Sequence, residues 1–246
     1  MKDYCIYRFT YKENITIFLQ GFVIILILGY MFYQSAFGVI ILSPAVLFYR
    51  KEKRNKRIAE QKWQLNIQFK DSIQSLSAAL SSGYSVEHAF SEVYQDLQLL
   101  YDEDTFIMQE LTYIINQLRM NITVERILSD FGERSGIDDI ISFAEIFTAA
   151  KRSGGDLIKI IKTTGNTIGD KIEVKREIIT LITAKKYEAS IMKIIPLGIL
   201  CYLTISSPGF LDPLYHNLPG IAIMTVLLGC YAGAYFMAEK IVAIEV

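Results

Sequence analysis

The side chains in this chain that could do chemistry are few, and their spacing does not suit it. Two short runs have the composition of a phosphate loop, Ser153-Gly154-Gly155-Asp156 and Lys162-Thr163-Thr164-Gly165. A phosphate is cradled where a glycine-rich turn with the spacing GxxxxGK[ST] joins a strand to a helix. Neither run follows a strand pattern or has that spacing, and the second falls inside a helical pattern, so no nucleotide or other cofactor is expected. The only two histidines, His88 and His216, lie far apart, and so do the three cysteines, Cys5, Cys201 and Cys230. Metal sites and nucleophilic triads need several such groups to converge, so neither is expected here. The cysteines read as small apolar fillers. The carboxylates Glu87, Glu125, Asp138, Asp139, Glu145, Glu173 and Glu188 are strewn along helical patterns and read as a solvated face, with docking patches for basic partners as the sharper alternative.

The chain that must position these groups is 246 residues long and 52% hydrophobic, with a mean hydropathy of +0.29. The apolar residues are concentrated in three runs, Ile15 to Tyr49, Ala189 to Ser206 and Leu218 to Ala238, around a polar middle. That is the layout of an integral membrane protein with a soluble insert. The first run has no signal-peptide cleavage site after it and is too long for one comfortable crossing. It reads as two helices, Ile15 to Tyr33 and Ala36 to Tyr49, with one long tilted helix as the alternative. Four crossings result, and the runs hold no Asp, Glu or His, so neither an intramembrane protease nor a proton pathway is indicated. The one charge inside a run is Lys193, three residues before Pro196. Snorkelling of its ammonium to the interface accounts for it, and contact with an acidic partner segment is the alternative. Gly229 and Gly233 form a GxxxG pair suited to helix packing, within the chain or between copies.

Directly after the first run come Arg50, Lys51, Lys53, Arg54, Lys56 and Arg57, with one acid among them. Beside an apolar run such a stretch is a topology anchor that also touches anionic membrane lipid, and no nucleic-acid partner is inferred from it. From Ile58 to Glu188 the periodicity is helical throughout. Trp63, Ile67, Phe69, Ile73, Leu76 and Leu80 form one apolar face that ends at Gly83. Ser85 caps a second helix with Val86, Phe90, Val93, Leu97 and Leu100 inside. The acids Asp102, Glu103 and Asp104 open a third, with Ile107, Leu111, Ile114 and Leu118 inside, and Thr123 caps a fourth that ends at Gly136. Ser85 to Val93 matches Thr123 to Phe131 position by position in residue type, which predicts two related helical hairpins. A fifth helix, Ile137 to Arg152, turns back at Gly154 and Gly155 into a sixth. That sixth helix continues into the membrane past Pro196, where the missing donor kinks it. The forty residues from Asp156 to Ile195 would span about 60 Å. The loop at 206–217 lacks Lys and Arg and suits the outer face.

The fold expected is therefore all-α: a cytosolic six-helix bundle, two related hairpins plus a hairpin with a long last helix, and four transmembrane helices. Its segments are a membrane anchor at 1–57, the helical domain at 58–188 and a second membrane segment at 189–246. Both termini and the middle domain are expected in the cytoplasm.

The stretches FKDSIQSLSAALSSGYSVEHAF, ITVERILSDF and FAEIFTAAKRSGGDLIKIIKTTGNTI, followed by a basic helix into IMKIIP, resemble the type II secretion F domain family. The two N-terminal crossings and the ending SPGFLDPLYHNLPGIAIMTV to AEKIVAIEV are similar to its TadB/TadC branch, the platform proteins of tight adherence (Flp) pili. The resemblance implies a non-enzymatic, multi-pass platform in the bacterial inner membrane. Its implied partners are a hexameric secretion ATPase, pilin subunits and a paralogous platform protein or a second copy of the chain. The residues it carries over are structural: turn glycines Gly83, Gly154 and Gly155, caps Ser85 and Thr123, and Pro196. The other reading of the residues is a membrane-anchored scaffold or signalling module that binds cytosolic partners without a secretion ATPase.

Overall fold

The computed structural model of the protein describes residues 3–7, 9–33, 45–153, 156–207, 209–215 and 217–242. Among them every regular element is helical: α1 (Tyr11–Tyr33), α2 (Ala45–Ser81), α3 (Val86–Leu97), α4 (Phe106–Arg119), α5 (Val124–Ser135), α6 (Asp138–Ser153), α7 (Leu157–Ser206) and α8 (Leu218–Val242), with a 3₁₀ turn at Asp212–Leu214. They gather into two compact units, one of Met1–Arg8 and Asn55–Val174, the other of Phe9–Arg54 and Lys175–Val246. Two helices, α2 and α7, contribute residues to both.

The first unit follows from its apolar stripes. α2 buries Leu65, Phe69, Ile73, Leu76 and Leu80 at helical spacing, and α3 buries Ala89, Phe90, Val93 and Leu97. α7 adds Ile161, Gly165, Ile168 and Ile172. Phe69 stands edge-on to both Phe131 (centroids 5.8 Å apart) and Phe143 (5.4 Å), the arrangement aromatic rings prefer. The void among these side chains is about 10 Å³, barely one water's worth, so the interior is a packed core with no room for a ligand. Gly165 is required at its position because a Cβ there would lie 2.8 Å from Ile73 Cγ2.

The sequence echo has a structural counterpart. α3 and α5 are both twelve-residue helices entered through an extended cap residue, Ser85 or Thr123. Ala89, Phe90 and Val93 are buried, as are their counterparts Ile127, Leu128 and Phe131. The closest helix packing joins α3 to α4 and α5 to α6, so each echo helix packs most extensively on the helix after it, while α5 also meets the preceding α4. Gly132 permits the second pairing, since even a methyl group there would meet the Ile141 backbone at 3.2 Å.

Several boundaries differ from the sequence reading. The basic stretch lies inside a helix, since α2 runs through it unbroken for 37 residues. α4 begins at Phe106 behind Thr105, so Asp102, Glu103 and Asp104 precede the helix and do not form its first turn. Thr105 instead folds back, its N–H and hydroxyl both donating to the Asp102 carbonyl. Leu100 is 70% exposed because α3 stops at Leu97, which takes the innermost place.

In the second unit α1 buries Ile17, Gly21, Ile25, Gly29 and Phe32, a residue from nearly every turn. Phe32, Leu211, Tyr215 and Met224 form a small core backed by Leu197, Leu200 and Leu203 of α7. The Tyr215 hydroxyl donates to the Met31 carbonyl at 2.9 Å, and Tyr33 and Thr225 share a hydrogen bond at 3.1 Å. Among the described residues three helices are long and apolar enough to cross a membrane: Tyr11–Tyr33, the apolar part of Leu157–Ser206, and Pro219–Ala238. The further crossing expected at 36–49 falls largely on residues 34–44, outside the described residues.

Gly136 ends α5 in the left-handed region, at φ +54°, and a Cβ there would sit 2.6 Å from Cys5 Sγ and 2.8 Å from Lys62 Nζ. Gly83, at φ +91°, has open space around it. Gly83→Ala should therefore cost only the left-handed strain, about 1–2 kcal/mol. Gly136→Ala adds the clash and should lower the unfolding midpoint further. Denaturant titration of the detergent-solubilised chain, followed by far-UV circular dichroism, checks the order.

Candidate functional site

The most heavily determined cluster of polar groups surrounds the Glu110 carboxylate. Glu110 lies on the buried side of α4 with Ile107, Leu111 and Ile114, and is 2% exposed. A lone carboxylate there would cost several kcal/mol, so it must be paired and hydrogen-bonded. Arg134 of α5 supplies a two-pronged contact, Nη1 to Oε1 at 3.0 Å and Nη2 to Oε2 at 2.9 Å. Its Nε reaches Asp130 at 2.8 Å, one turn back on the same helix. The guanidinium lies over the rings of Tyr113 and Phe131. A third donor comes from outside the helices, the Tyr4 hydroxyl, at 2.8 Å from Glu110 Oε1.

Tyr4 is fully buried, edge-on to Phe106. The segment that carries it lies across the end of α5, whose last carbonyls have no helical partners. The Tyr4 N–H donates to the Arg134 carbonyl at 3.1 Å and the Cys5 thiol approaches that of Ser135. The Lys62 ammonium donates to that of Gly136 at 2.9 Å. Burial, and then the neighbouring carboxylate, push the Tyr4 phenol above its ordinary range, so it stays a donor. Burial opposes the Arg134 charge, but the hydrogen bonds to Glu110 and Asp130 outweigh it and hold the guanidinium above its ordinary range. This arrangement clamps two helices and the N-terminal segment. Neither the phenol nor the guanidinium is left to take a proton from a substrate.

A second cluster lies in the other unit, around Lys193. Its ammonium sits 4.1 Å from the centre of the Tyr235 ring, a cation–π contact with α8. Tyr231, one turn earlier on α8, donates its hydroxyl to the Lys193 carbonyl at 2.8 Å. Pro196 lies three residues on, inside the unbroken α7, where its missing N–H leaves the Met192 carbonyl without its helical donor.

The other sequence-singled residues are dispersed. Ser85 accepts from the His88 N–H at 3.3 Å, whereas Thr123 holds the cap position in extended backbone without a side-chain bond. Gly154 and Gly155 lie outside the described residues. Arg50 lies over Phe18 and Lys53 over Tyr49, each 5.8 Å from the ring centre, and Arg57 pairs with Glu60. Lys51, Arg54 and Lys56 follow the same helix, with exposed side chains. Among the described residues nothing lies within 4 Å of a Cβ built on Gly229 or Gly233. Cys5, Cys201 and Cys230 are all exposed free thiols. Among the described residues no group of three or more His, Cys, Asp or Glu is placed to hold a metal. Sequence reasoning missed Tyr4, Glu110, Arg134, Tyr231 and Tyr235. Only Glu110 gave a signal, as an acid sharing the apolar face of Ile107 and Ile114.

The described residues are all-helical in their regular elements and include three candidate membrane-spanning helices, which fits a multi-pass membrane protein. No family model matches the chain, and no curated protein or solved structure shows significant similarity to it.

Tyr4→Phe removes one of three donors to a buried carboxylate and should cost about 1–3 kcal/mol. Glu110→Ala leaves the largely buried Arg134 with Asp130 as its carboxylate partner and should cost about 3 kcal/mol. Tyr4→Phe added to Glu110→Ala should cost almost nothing more, because the acceptor is already gone. Denaturation midpoints of the three variants test that non-additivity. The Glu125 carboxyl is held below its ordinary pKa by its own backbone N–H at the start of α5 and by Lys151, 3.1 Å away. A depressed carboxyl contributes stability above the unfolded-state value, which is lost as pH falls through the folded one. Glu125→Gln should therefore flatten part of the acid limb of a stability-versus-pH curve.

Proposed function

We propose that the protein is a non-enzymatic platform of the bacterial inner membrane that couples a cytosolic secretion ATPase to extraction of pilin subunits. The observation that carries this is α7. It is a single helix of 50 residues, about 75 Å long, that packs into the first unit through Ile161, Gly165, Ile168 and Ile172 and backs the small core of the second through Leu197, Leu200 and Leu203. A continuous helix transmits displacement and torque better than a jointed linker, and such a connection serves an assembly machine more directly than it serves turnover. The resemblance of the stretches around Ser153 to Ile168 and Pro208 to Val246 to type II secretion F domain proteins of the TadB/TadC branch supports the same reading.

In this proposal α2 to α7 form a six-helix cytosolic bundle, the second crossing at 36–49 completes four, and both termini lie in the cytoplasm. The bundle engages a hexameric ATPase, and the membrane helices meet pilin. A second copy or a paralogue completes the platform, with the open Gly229 and Gly233 face as one contact.

Deleting the gene should abolish pili while prepilin processing continues, and piliated deletion cells would refute the reading. Thr180 and Thr183 lie on exposed turns of α7 and donate back to the Arg176 and Ile179 carbonyls. Replacing both by glycine should soften the helix, each glycine costing roughly 1 kcal/mol relative to alanine. Counts of assembled pili should fall while membrane levels of the protein hold, and unchanged assembly would mean that rigidity of α7 is not what couples the units.

A further inference from the structure

α1 buries the stripe of Ile17, Gly21, Ile25 and Gly29 and leaves a neighbouring face uncovered. On that face Tyr11, Asn14, Ile15, Phe18, Leu19 and Phe22, together with Arg50 of α2, line a groove of about 650 Å³. Its walls are large apolar side chains, with Leu19 63% and Phe22 52% exposed. Its one charged wall is the Arg50 guanidinium, 5.8 Å from the centre of the Phe18 ring. A planar guanidinium resting on an aromatic face keeps its donor edge free for a two-pronged contact with phosphate. Lys51, Lys53 and Arg54 follow on α2 with one acid, Glu52, among them, so the surroundings favour an anion. Glu13, the nearest acid on α1, is turned back onto the Thr10 N–H at 2.9 Å.

An open apolar groove bordered by a single cation fits an amphiphile. Inorganic phosphate would gain nothing from the phenylalanines, and a purely apolar helix would bury the guanidinium without a counter-charge. We propose that this groove binds one anionic glycerophospholipid, with its phosphate on Arg50 and an acyl chain along Phe18, Leu19 and Phe22. The site is a defined one, distinct from the diffuse attraction of a basic stretch for a charged membrane surface, because groove and cation are supplied by two different helices packed at Gly21, Val46 and Tyr49. It does not depend on the protein's acting as a platform.

The test is native mass spectrometry of the full chain released from phosphatidylcholine nanodiscs that contain phosphatidylglycerol. The wild type should retain one phosphatidylglycerol per chain in preference to phosphatidylcholine. Arg50→Gln should lose it, and Arg57→Gln, further along the same helix, should keep it. Phe18→Ala leaves every charge in place and alters only an exposed wall, so it should fold and still reduce retention several-fold. Equal retention by wild type and both groove variants would overturn the proposal, as would equal retention of the two lipids. A lipid-free dimer would overturn it too, by giving the groove to a second copy of the chain.

Discussion

A carboxylate buried among leucines and isoleucines is tolerated only when every lone pair that matters is engaged, and Glu110 imposes that condition on the first unit. Satisfying it takes a guanidinium from α5 and a phenol from residue 4, so two helices and the N-terminal segment are fixed relative to one another by one group. Hydrophobic burial alone would not choose this geometry, since apolar faces slide past one another with little loss. The charged pair makes one register much better than its neighbours. The same segment also satisfies carbonyls at the end of α5, where a helix otherwise leaves acceptors bare. The N-terminal segment is thus placed by what α4 and α5 need.

The second unit meets a related constraint in apolar surroundings. A lysine and a proline within one turn of a helix bring a charge and a broken backbone pattern to the same place, and α8 answers with two tyrosines one turn apart. The Tyr235 ring accepts the cation on its face, and the Tyr231 hydroxyl gives the Lys193 carbonyl an extra donor beside the gap left by Pro196. A tyrosine suits both tasks because it presents apolar area and a polar tip together. The chain passes from one unit to the other at three points, near residues 8, 54 and 174, and the last two lie inside helices. In each unit these polar groups hold helices in place.

How far all this could be read from the chain depended on the range of the interactions. Helical periodicity between Ile58 and Glu188, the apolar runs, the Ser85 cap and the left-handed end at Gly136 are local, fixed by residues within a turn or two, and they stand in the amino-acid order. The echo between Ser85 to Val93 and Thr123 to Phe131 was legible for the same reason, because equivalent positions bury equivalent faces. The limits of α3 and α4 were less so. Leu97 and Leu100 are both apolar at helical spacing, and only the packing of α3 against α4 decides which is inside.

Local sequence is enough to make the described chain helical and to place its long apolar helices. What fills each face was decided by the tertiary structure. Tyr4 and Glu110 are 106 positions apart, and Lys193 and Tyr235 are 42 apart. Their pairing rests on helices meeting at one angle and register, a quantity summed over many weak contacts that no short stretch of sequence contains. Even so, an acid on an apolar helical face has no tolerable state without a partner. Glu110 was the one place where the chain announced that a distant residue must come to it, without saying which.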